Sequence, residues 1–369
     1  MANHKVHFEL VGDSSTAILD GNLEHGDISG HWRENERSGD FRLHSSHNSV
    51  PKPRGRSVTF QNGNISLSGT LLLPKASTPA AAVVFVHGAG PETRQASLFL
   101  AQYFAQRNVA ALIYDKRGTA QSSGDWKRAS FEDLASDVEA GVKFLKSQPE
   151  IDSHRIGLMG SSQGGWIAPM AALHLPDLAF VIIKSAAAVT PEQQELERAE
   201  IQMREAGDSP DEIEEAQRLY KSAIAYARSG QGWEPLKQSI ELGANKRWSL
   251  FPASTPNDYW FFEQIRLFFD HDPVAVLNQI KTPVLVIFGG RDDDGPPLTK
   301  QLGPLLAAMQ ANGKTSQLAV FPNAGHGLRV EQKRGERWDF ARFAPGYLQL
   351  LASWVSERTA LNEPKTVDK

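Results

Sequence analysis

The sequence of 369 residues contains no cysteine, and this absence excludes several kinds of site. Disulfide bonds, cysteine-ligated zinc, iron–sulfur clusters and thiol nucleophiles all require cysteine. The absence does not indicate a compartment, because cytoplasmic and periplasmic proteins can both lack this residue.

Long apolar runs are absent as well. No segment approaches the ~18 consecutive apolar residues that a membrane-spanning helix requires. The first ten residues are polar and lack the apolar centre of a signal peptide. We therefore expect a soluble, cytoplasmic protein without a membrane partner; a periplasmic or secreted location would require a leader that had been removed.

The sequence also lacks an excess of charge of one sign. Charged residues make up 22% of the chain and the net charge is −4, as in ordinary soluble proteins. There is no basic cluster of the kind that binds nucleic acid, and no block of like charge that forms an interaction tail. We expect no nucleic-acid partner, whereas the oligomeric state stays open and includes a homo-oligomer.

The sequence does contain enough apolar material for a sizeable core, since hydrophobic residues make up 40% of the chain. The length suits one catalytic domain of roughly 250 residues with smaller additions. Residues 1–55 are rich in Gly, Ser, His and Asn and contain short alternating segments, which predict a small β-rich module. Residues 50–56 contain two prolines and one glycine and are predicted to form a linker.

Beyond this module the pattern changes to alternating strands and helices. Residues 57–61 and 65–73 predict two strands joined by a tight turn at Asn62-Gly63. Short apolar segments then alternate with helical patterns, which predicts a mostly parallel sheet covered on both faces. We assign residues 56–190 and 271–360 to this α/β core. Its other predicted strands span 81–86, 109–114, 155–159, 179–184, 283–288 and 317–321, and its helices span 96–106, 130–147 (with a capping box of Ser130 and Asp133), a segment ending at 173, and 345–359.

A helical insertion at residues 191–270 divides this core. It contains helical patterns at 191–206 and 210–229 and an aromatic-rich stretch at 248–269 that is also predicted to be helical. A helical insertion between two halves of a parallel sheet is the layout of a cap over an active site.

The segment Gly160-Ser161-Ser162-Gln163-Gly164 follows a predicted strand and opens a helix, as a nucleophile elbow does. In such a turn the central serine adopts strained backbone geometry, and small residues are needed on either side of it. The helix N-terminus beneath the serine offers free N–H groups and the positive end of a dipole. We predict that Ser162 is the nucleophile and that Ser161, at a variable position of the motif, is not. A glycine-rich turn formed for packing alone is the alternative.

A second turn suits an oxyanion hole, in which fixed backbone N–H groups stabilise the negative charge that develops on a substrate carbonyl oxygen. The turn His87-Gly88-Ala89-Gly90-Pro91 directly follows a buried strand, where enzymes with a nucleophile elbow keep half of this hole. We predict that the N–H groups of Ala89 and Gln163 are the donors, to within one residue. His87 is predicted to stabilise the turn rather than act as a base, and a plain strand-to-helix turn is the alternative.

Two further loops carry the predicted base and acid. His326 lies on a glycine-flanked loop after the last predicted strand of the sheet, at the edge where the sites of parallel sheets assemble. Asp292 lies three residues after Gly289, which closes another strand, and an acid there would accept a hydrogen bond from His326 and fix its tautomer. Asp293 and Asp294 stay open as alternatives, although they are more typical of solvated or capping residues.

Two other features are interpreted as structural. Residues 115–118, with the sequence DKRG, follow a buried strand and predict an ion-pair turn near the site, without a catalytic role. His44 and His47 are close enough in sequence to share a metal ion, but two histidines do not make a metal site, and none is predicted.

Together these segments resemble the α/β-hydrolase superfamily, and more closely its bacterial serine esterases with an N-terminal β domain. Dienelactone-hydrolase-like and acyl-CoA-thioesterase-like hydrolases are related to these. The resemblance covers about residues 57–358 and rests on five motifs that occur in order. They are HGAGP from His87, DKRGTAQSSGDW from Asp115, GSSQGGWIAPMAA from Gly160, DP…VLNQIKTPVLVIFGGRD ending at Asp292, and NAGHG containing His326.

The resemblance implies an α/β-hydrolase fold and hydrolysis of carboxylic esters without a cofactor. The acid loop departs from the family pattern in its three aspartates and in Gly295, where an apolar residue is common, and the N-terminal module is shorter than in relatives. We expect a small-molecule ester with a short-to-medium acyl chain as the substrate, cleaved through a Ser-His-Asp triad.

The aromatic residues of the insertion have two interpretations. They pack the insertion onto the core, or some of them line an apolar acyl pocket, for which Trp260 and Phe262 are the predicted contacts. Three other functions remain open: a peptidase or amidase, an acyl-CoA thioesterase, and a catalytically silent binding protein. No propeller-like repeats precede the domain, which disfavours an oligopeptidase, and no basic patch for the phosphates of CoA is evident.

Overall fold

The computed structural model describes residues 4–11, 16–44, 53–75, 79–249, 251–313, 315–331, 333–334, 337–338 and 341–360. The N-terminal part is a four-stranded antiparallel sheet in which each strand pairs with the next along the chain. Its small core consists of Ala17, Leu19 and Trp32, with Phe8 and Phe41 packed against it. The strands are β1 (His4–Val11), β2 (Thr16–Glu24), β3 (Asp27–Glu34) and β4 (Arg37–His44).

The central sheet has eight strands in the order β12-β11-β10-β9-β7-β8-β6-β5. Strands β7 to β12 run parallel, and the hairpin of β5 and β6 is antiparallel at one edge. The predicted α/β-hydrolase architecture, with a mostly parallel sheet, is confirmed. The strands are β5 (Arg54–Asn62), β6 (Ile65–Leu73), β7 (Ala80–Val86), β8 (Val109–Tyr114), β9 (Ile151–Ser161), β10 (Phe180–Lys184), β11 (Val284–Gly289) and β12 (Ser316–Phe321).

The hairpin predicted at Asn62-Gly63 is confirmed, and Gly63 adopts a positive φ of 55° there. The linker prediction at residues 50–56 was wrong in its last part. Strand β5 begins at Arg54, which pairs with Leu73. This pairing extends the sheet into residues 54–56, whose local sequence is typical of a linker. Residues 50–52 lie outside the described part of the chain.

Helices cover both faces of the central sheet. One face packs against α2 (Phe131–Lys146), α3 (Gly164–His174), α8 (Pro273–Gln279) and α9 (Leu298–Gln310), and the other against α1 (Leu98–Ala105) and α10 (Tyr347–Thr359). The capping box predicted for Ser130 and Asp133 is confirmed at the start of α2. Burial on both faces explains why β7, β8 and β11 are apolar throughout.

The helical insertion comprises α4 (Pro191–Glu205), α5 (Pro210–Ser229), α6 (Trp233–Gly243) and α7 (Trp260–Phe268), which share a separate aromatic-rich core. The prediction that the whole of 248–269 is helical was wrong, because only the segment from Trp260 on is helical. Pro252 and Pro256 precede it, and proline does not continue a helix. Helix α6 was not predicted.

Two small hairpins lie between β12 and α10. Strand β13 (Arg329–Val330) pairs with β16 (Arg342–Phe343), and β14 (Lys333–Arg334) pairs with β15 (Arg337–Trp338). None of the helices formed by the described residues is both long and apolar enough to cross a membrane.

Candidate active site

Ser162 lies in the sharp turn between β9 and α3, at the carboxyl edge of the parallel strands. Its φ of 54° is in the left-handed region, which residues with a side chain rarely adopt. The Ser162 N–H donates to the Lys184 carbonyl at the end of β10 (2.9 Å), and the Ser162 carbonyl accepts from the N–H of Gly165 (2.8 Å). These two bonds hold the strained residue in place.

The glycines around Ser162 are required by close backbone approaches. A β-carbon on Gly160 would clash with the carbonyl of Gly164, and one on Gly164 would clash with the carbonyls of Val86 and His87. The turn therefore packs directly against the end of β7. The motif that the sequence analysis used as a chemical signal is thus also a steric requirement of this turn.

His326 and Asp292 meet on neighbouring loops. The loop after β12 carries His326, and the loop after β11 carries Asp292; the Nδ1 atom of His326 lies 3.0 Å and 3.1 Å from the two carboxylate oxygens of Asp292. Asp292 also accepts a bond from the N–H of Asp294 (3.1 Å), which fixes the carboxylate. The loops touch at Gly289, where a β-carbon would clash with the carbonyls of Ala324 and Gly325.

The end of β10 connects this pair to Ser162. The Lys184 carbonyl accepts from the N–H of Ser162, and the hydroxyl of the next residue, Ser185, donates to the carbonyl of His326 (2.7 Å). Among the described residues, no hydrogen bond joins the Ser162 hydroxyl to His326. In free enzymes such bonds are often long and tighten only when substrate binds.

The second ring nitrogen of His326 faces another carboxylate. Its Nε2 atom lies 3.7 Å from an Asp294 oxygen, and Asp294 in turn lies 3.8 Å from Arg198 of α4. Burial disfavours the charged imidazole, but the hydrogen bond and charge of Asp292, together with the charge of Asp294, outweigh burial and raise the pKa of His326. Lys184 acts in the opposite direction. Burial disfavours the charged carboxylate of Asp294 and raises the pKa of this group.

Asp294→Asn is expected to move the acid limb of the pH–rate profile to lower pH. The substitution removes a negative charge that favours protonated His326, so the pKa of His326 falls and its neutral, basic form persists at lower pH. The profile of kcat/KM is measured between about pH 5 and 8, where histidine titrates.

Asp293→Asn is the matched control for this experiment, because it removes the same charge from the neighbouring, exposed side chain. Arg198 keeps Glu195 as a partner when Asp294 is replaced, so no guanidinium is left uncompensated. An acid limb that stays in place in Asp294→Asn, or moves equally in both variants, would mean that Asp294 does not control His326.

The predicted oxyanion donors lie on the two turns beside Ser162. Ala89 is exposed, and within the described part of the chain no hydrogen bond uses the N–H of Ala89 or of Gln163. The N–H of Gly88, by contrast, is occupied by the carboxylate of Glu92 (2.6 Å). Both candidate amides are therefore available to a ligand.

His87 is buried, and its Nε2 atom lies 2.5 Å from the carbonyl of Tyr114. Burial and the charge of Lys116 lower the pKa of His87 to about 3, so this imidazole is neutral. A neutral histidine that bonds to the end of β8 fits the structural role predicted for it.

The turn at residues 115–118 forms the expected ion pairs. Asp115 pairs with Arg94 (2.6 Å), and Arg117 pairs with Asp137 of α2 (2.7 Å). Lys116 differs from both, because its buried ammonium donates to the Gly88 carbonyl and to the side chain of Gln163. The sequence analysis gave Lys116 no role, and only the folded chain brings its two acceptors together.

The two aromatic residues predicted to contact substrate lie in different surroundings. Phe262 is fully buried inside the helical insertion, stacked on Phe251 and edge-on to Tyr226, so substrate does not reach it in this conformation. The prediction that Phe262 lines an acyl pocket is therefore corrected to a packing role. Trp260 is partly exposed and packs edge-on against Trp126, which lies on the loop that follows β8. The two ring centroids are 5.8 Å apart.

An open cavity of about 640 Å³ lies beside the acid loop, between that loop and α4. Ile201 and Glu205 of α4 and residues 288–299 line it, together with Ala187. The wall formed by α4 could not be predicted from the sequence, because α4 has few buried residues and its pattern is that of a solvent-exposed helix. The cavity borders Asp292, but neither Ser162 nor His326 belongs to its lining.

The described residues contain no group of three or more His, Asp or Glu side chains arranged to hold a metal ion. His44 lies on β4 and its Nδ1 atom is 3.0 Å from Asp27 of β3. His47, the other residue of the pair considered in the sequence, lies outside the described residues.

Comparison with known proteins identifies relatives of this chain. A model of the alpha/beta hydrolase family matches residues 83–337, well over half of the chain. Esterase EstD of Thermotoga maritima is 23% identical over 236 residues, which cover 61% of this chain and 50% of that protein. The uncharacterized peptidase YuxL of Bacillus subtilis is 21% identical over 277 residues, covering 72% of this chain and 34% of that protein. The chain therefore spans half or less of the length of these two curated relatives.

Among solved structures, an esterase of Pyrococcus furiosus superposes with a TM-score of 0.53 at 17% identity. The superposition covers 83% of this chain and 90% of that one. Likeness at this identity shows the fold alone, whereas the family model matches most of the sequence directly. The chain belongs to the alpha/beta hydrolase family.

Proposed function

We propose that this protein is a serine hydrolase that cleaves carboxylic esters through an acyl-enzyme intermediate. Ser162 is the nucleophile, His326 the base and Asp292 the acid of the triad. The observation that carries the proposal is the pairing of Asp292 with His326, which is anchored to a serine in a left-handed turn through Lys184, the last residue of β10, and Ser185, which follows it. Nucleophilic catalysis requires a serine and an imidazole that are each held in place, and these bonds hold the Ser162 backbone and orient the imidazole of His326.

The reaction proceeds in two halves. The Nε2 atom of His326 takes the proton of the Ser162 hydroxyl while the oxygen attacks the ester carbonyl, and Asp292 stabilises the resulting imidazolium. The carbonyl oxygen becomes an oxyanion between the N–H groups of Ala89 and Gln163. His326 then gives its proton to the departing alcohol, and the acyl group remains on Ser162. In the second half His326 deprotonates a water molecule that attacks the acyl carbon, the bond to the Ser162 oxygen breaks, and His326 returns the proton to that oxygen as the carboxylic acid leaves.

The proposed substrates are esters with short-to-medium acyl chains. The cavity between α4 and the acid loop borders Asp292 but is not lined by Ser162, so its apolar walls of Ile201 and Ala187 would contact a part of the substrate beyond the reacting carbonyl. The helical insertion acts as a cap that determines which acyl chains fit. An apolar pocket discriminates by only ~1–3 kcal/mol per methylene, so the preference is graded rather than absolute. The name of the EstD relative, an esterase, supports this class of substrate.

The charge of the cavity separates the other two hydrolase candidates. Glu205, Asp292, Asp293 and Asp294 line it, against Arg291. Such walls repel the phosphates of an acyl-CoA, which disfavours a thioesterase acting on CoA esters. They suit the ammonium of a peptide or aminoacyl substrate, so amide hydrolysis is the second candidate, in keeping with the relative named as a peptidase.

The proposal is tested by the rates of hydrolysis of p-nitrophenyl esters from acetate to palmitate, beside labelling with a fluorophosphonate probe. Activity that is highest at short-to-medium chains, with the probe on Ser162, is the expected result. If the probe labels Ser162 but no ester is hydrolysed, amides would replace esters as the proposed substrate class. A protein that neither reacts with the probe nor hydrolyses esters would be a binding protein on this fold, and the proposal would fail.

A further inference from the structure

Lys116 is a buried cation at the end of β8, with 2% of its surface exposed. Its ammonium donates to the carbonyl of Gly88 (2.8 Å) and to the side-chain oxygen of Gln163 (3.0 Å). These two acceptors lie on the two turns that carry the proposed oxyanion donors, the N–H groups of Ala89 and Gln163. One side chain therefore bridges both halves of the proposed oxyanion hole.

The bond to Gly88 acts on the oxyanion donor itself, because the Gly88 carbonyl and the Ala89 N–H belong to the same peptide unit. A peptide unit is planar, so fixing its oxygen also fixes the direction of its N–H, which points away from Lys116. A positive charge on the oxygen side polarises the unit and strengthens its N–H as a donor, since linked hydrogen bonds reinforce one another.

Neighbouring residues brace the same turn. Glu92 accepts from the N–H of Gly88 through its carboxylate, and its backbone carbonyl accepts from the N–H of Lys116 (3.2 Å). The ring of Trp126 lies 5.7 Å from the ammonium. These contacts keep Lys116 directed at Gly88 and Gln163 and hold it away from solvent.

We propose that Lys116 is a positioning residue of the oxyanion hole, which orients and polarises the Gly88–Ala89 peptide and fixes Gln163 so that the oxyanion is stabilised in the transition state. The inference rests on the proposed serine-hydrolase mechanism. It assigns a role to the turn at residues 115–118 that ion pairing alone does not supply. Because the effect grows with the charge on the oxyanion, it raises kcat rather than the affinity for the ester.

The charge of Lys116 is lost at mildly alkaline pH. Burial lowers the pKa of its ammonium to about 8, and the carboxylate of Glu92 opposes this shift only partly. The other titratable groups that line the same small cavity are His87, which is neutral, Tyr114, whose pKa is raised by burial, and Asp137, which is paired with Arg117. As the pH rises through this value the amine becomes neutral, the peptide is less polarised, and kcat is expected to decline.

Lys116→Met tests the proposal, because methionine keeps a similar length but removes the charge and both hydrogen bonds. We expect kcat for a p-nitrophenyl ester to fall roughly tenfold to hundredfold, somewhat less than for loss of an oxyanion donor itself, with little change in KM. The alkaline decline of kcat is expected to disappear in this variant. Labelling of Ser162 by a fluorophosphonate, whose phosphoryl oxygen occupies the same hole, is expected to slow by a similar factor.

Lys127→Met is the matched control, since it removes one positive charge near the same Trp126 ring (5.8 Å) but contacts neither turn of the proposed oxyanion hole. Its kcat and labelling rate are expected to equal those of the unmodified enzyme. A folded Lys116→Met protein with unchanged kcat, unchanged labelling rate and the original alkaline limb would overturn the proposal. A rise in KM without a fall in kcat would also overturn it.

A second variant decides the question if Lys116→Met does not fold. Gln163→Leu removes one of the two acceptors but keeps the backbone amide and Lys116 itself. A smaller fall in kcat at constant KM supports the proposal, and an unchanged kcat overturns it. The labelling rate separates this test from the proposed function, because it reports on the oxyanion hole even if no ester is hydrolysed.

Discussion

Ser162→Ala is expected to abolish ester hydrolysis, with a loss of roughly 10⁴-fold or more in kcat. Alanine has no hydroxyl to attack the carbonyl, so neither half of the proposed reaction can begin. Alanine keeps the β-carbon, so the turn with its φ of 54° is no more strained than before and the fold is retained. The measurement is the rate of p-nitrophenyl ester hydrolysis beside the unfolding temperature of the same preparation.

Ser161→Ala is the control for this substitution, since it removes the neighbouring hydroxyl at the end of β9. Ser161 pairs with Lys184 in the sheet, and its backbone contacts are unaffected by loss of the hydroxyl. Activity close to that of the unmodified enzyme is expected. Complete loss in Ser161→Ala, with activity retained in Ser162→Ala, would transfer the nucleophile to the other serine.

Asp292→Asn is expected to reduce kcat by about 10⁴-fold, as an amide cannot hold the required tautomer or stabilise the imidazolium. The carboxylate lies at 3.0 Å and 3.1 Å from the Nδ1 atom of His326, the nitrogen that must carry a proton while Nε2 acts as the base. The measurement is kcat at a pH above the acid limb, so that protonation of His326 does not obscure the effect.

The neighbouring aspartates give a direct comparison within one loop. Asp293→Asn removes an exposed carboxylate and is expected to leave kcat at this pH nearly unchanged. Asp294→Asn removes the carboxylate that faces Nε2 and is expected to alter the pH profile but not the plateau. If Asp294→Asn instead caused the large loss of kcat, and Asp292→Asn did not, Asp294 would be the acid of the triad.

The features of the fold and site that the sequence predicted are those set by local backbone geometry. The turn around Ser162 requires glycine at Gly160 and Gly164 because the chain passes against itself and against β7 there. The hairpin at Gly63 and the capping box at Ser130 are equally local. Such signals depend on residues a few positions apart, so they can be recognised before the fold is known.

The packing of the helical insertion could not be predicted in the same way. Trp260 and Phe262 are two positions apart on α7, and a hydrophobic pattern does not distinguish a residue that faces a pocket from one that faces a core. Packing against Phe251 and against Tyr226 of α5 buries Phe262, while Trp260 lies against Trp126 of the core domain. The break before α7 follows from two prolines, a local signal that the aromatic pattern obscured.

Lys116 was missed for a related reason. Its neighbours in the turn, Asp115 and Arg117, form the ion pairs that an isolated DKRG segment predicts. The acceptors of Lys116, Gly88 and Gln163, lie 28 and 47 positions away in the sequence. No pattern within the turn indicates that the middle residue bonds to two other loops, so its environment becomes visible only when the ends of β7, β8 and β9 are side by side.

The attachment of Ser162 and His326 to two adjacent residues at the end of β10, Lys184 and Ser185, has a consequence for motion. Lys184 and Ser185 are joined by a single rigid peptide unit. Lys184 is bonded to the turn that carries Ser162, and Ser185 is bonded to the loop that carries His326. Displacement of the strand end would therefore carry nucleophile and base together, as one body. Thermal fluctuations of this strand end would change the separation of the Ser162 turn and the His326 loop less than if two separate elements held them.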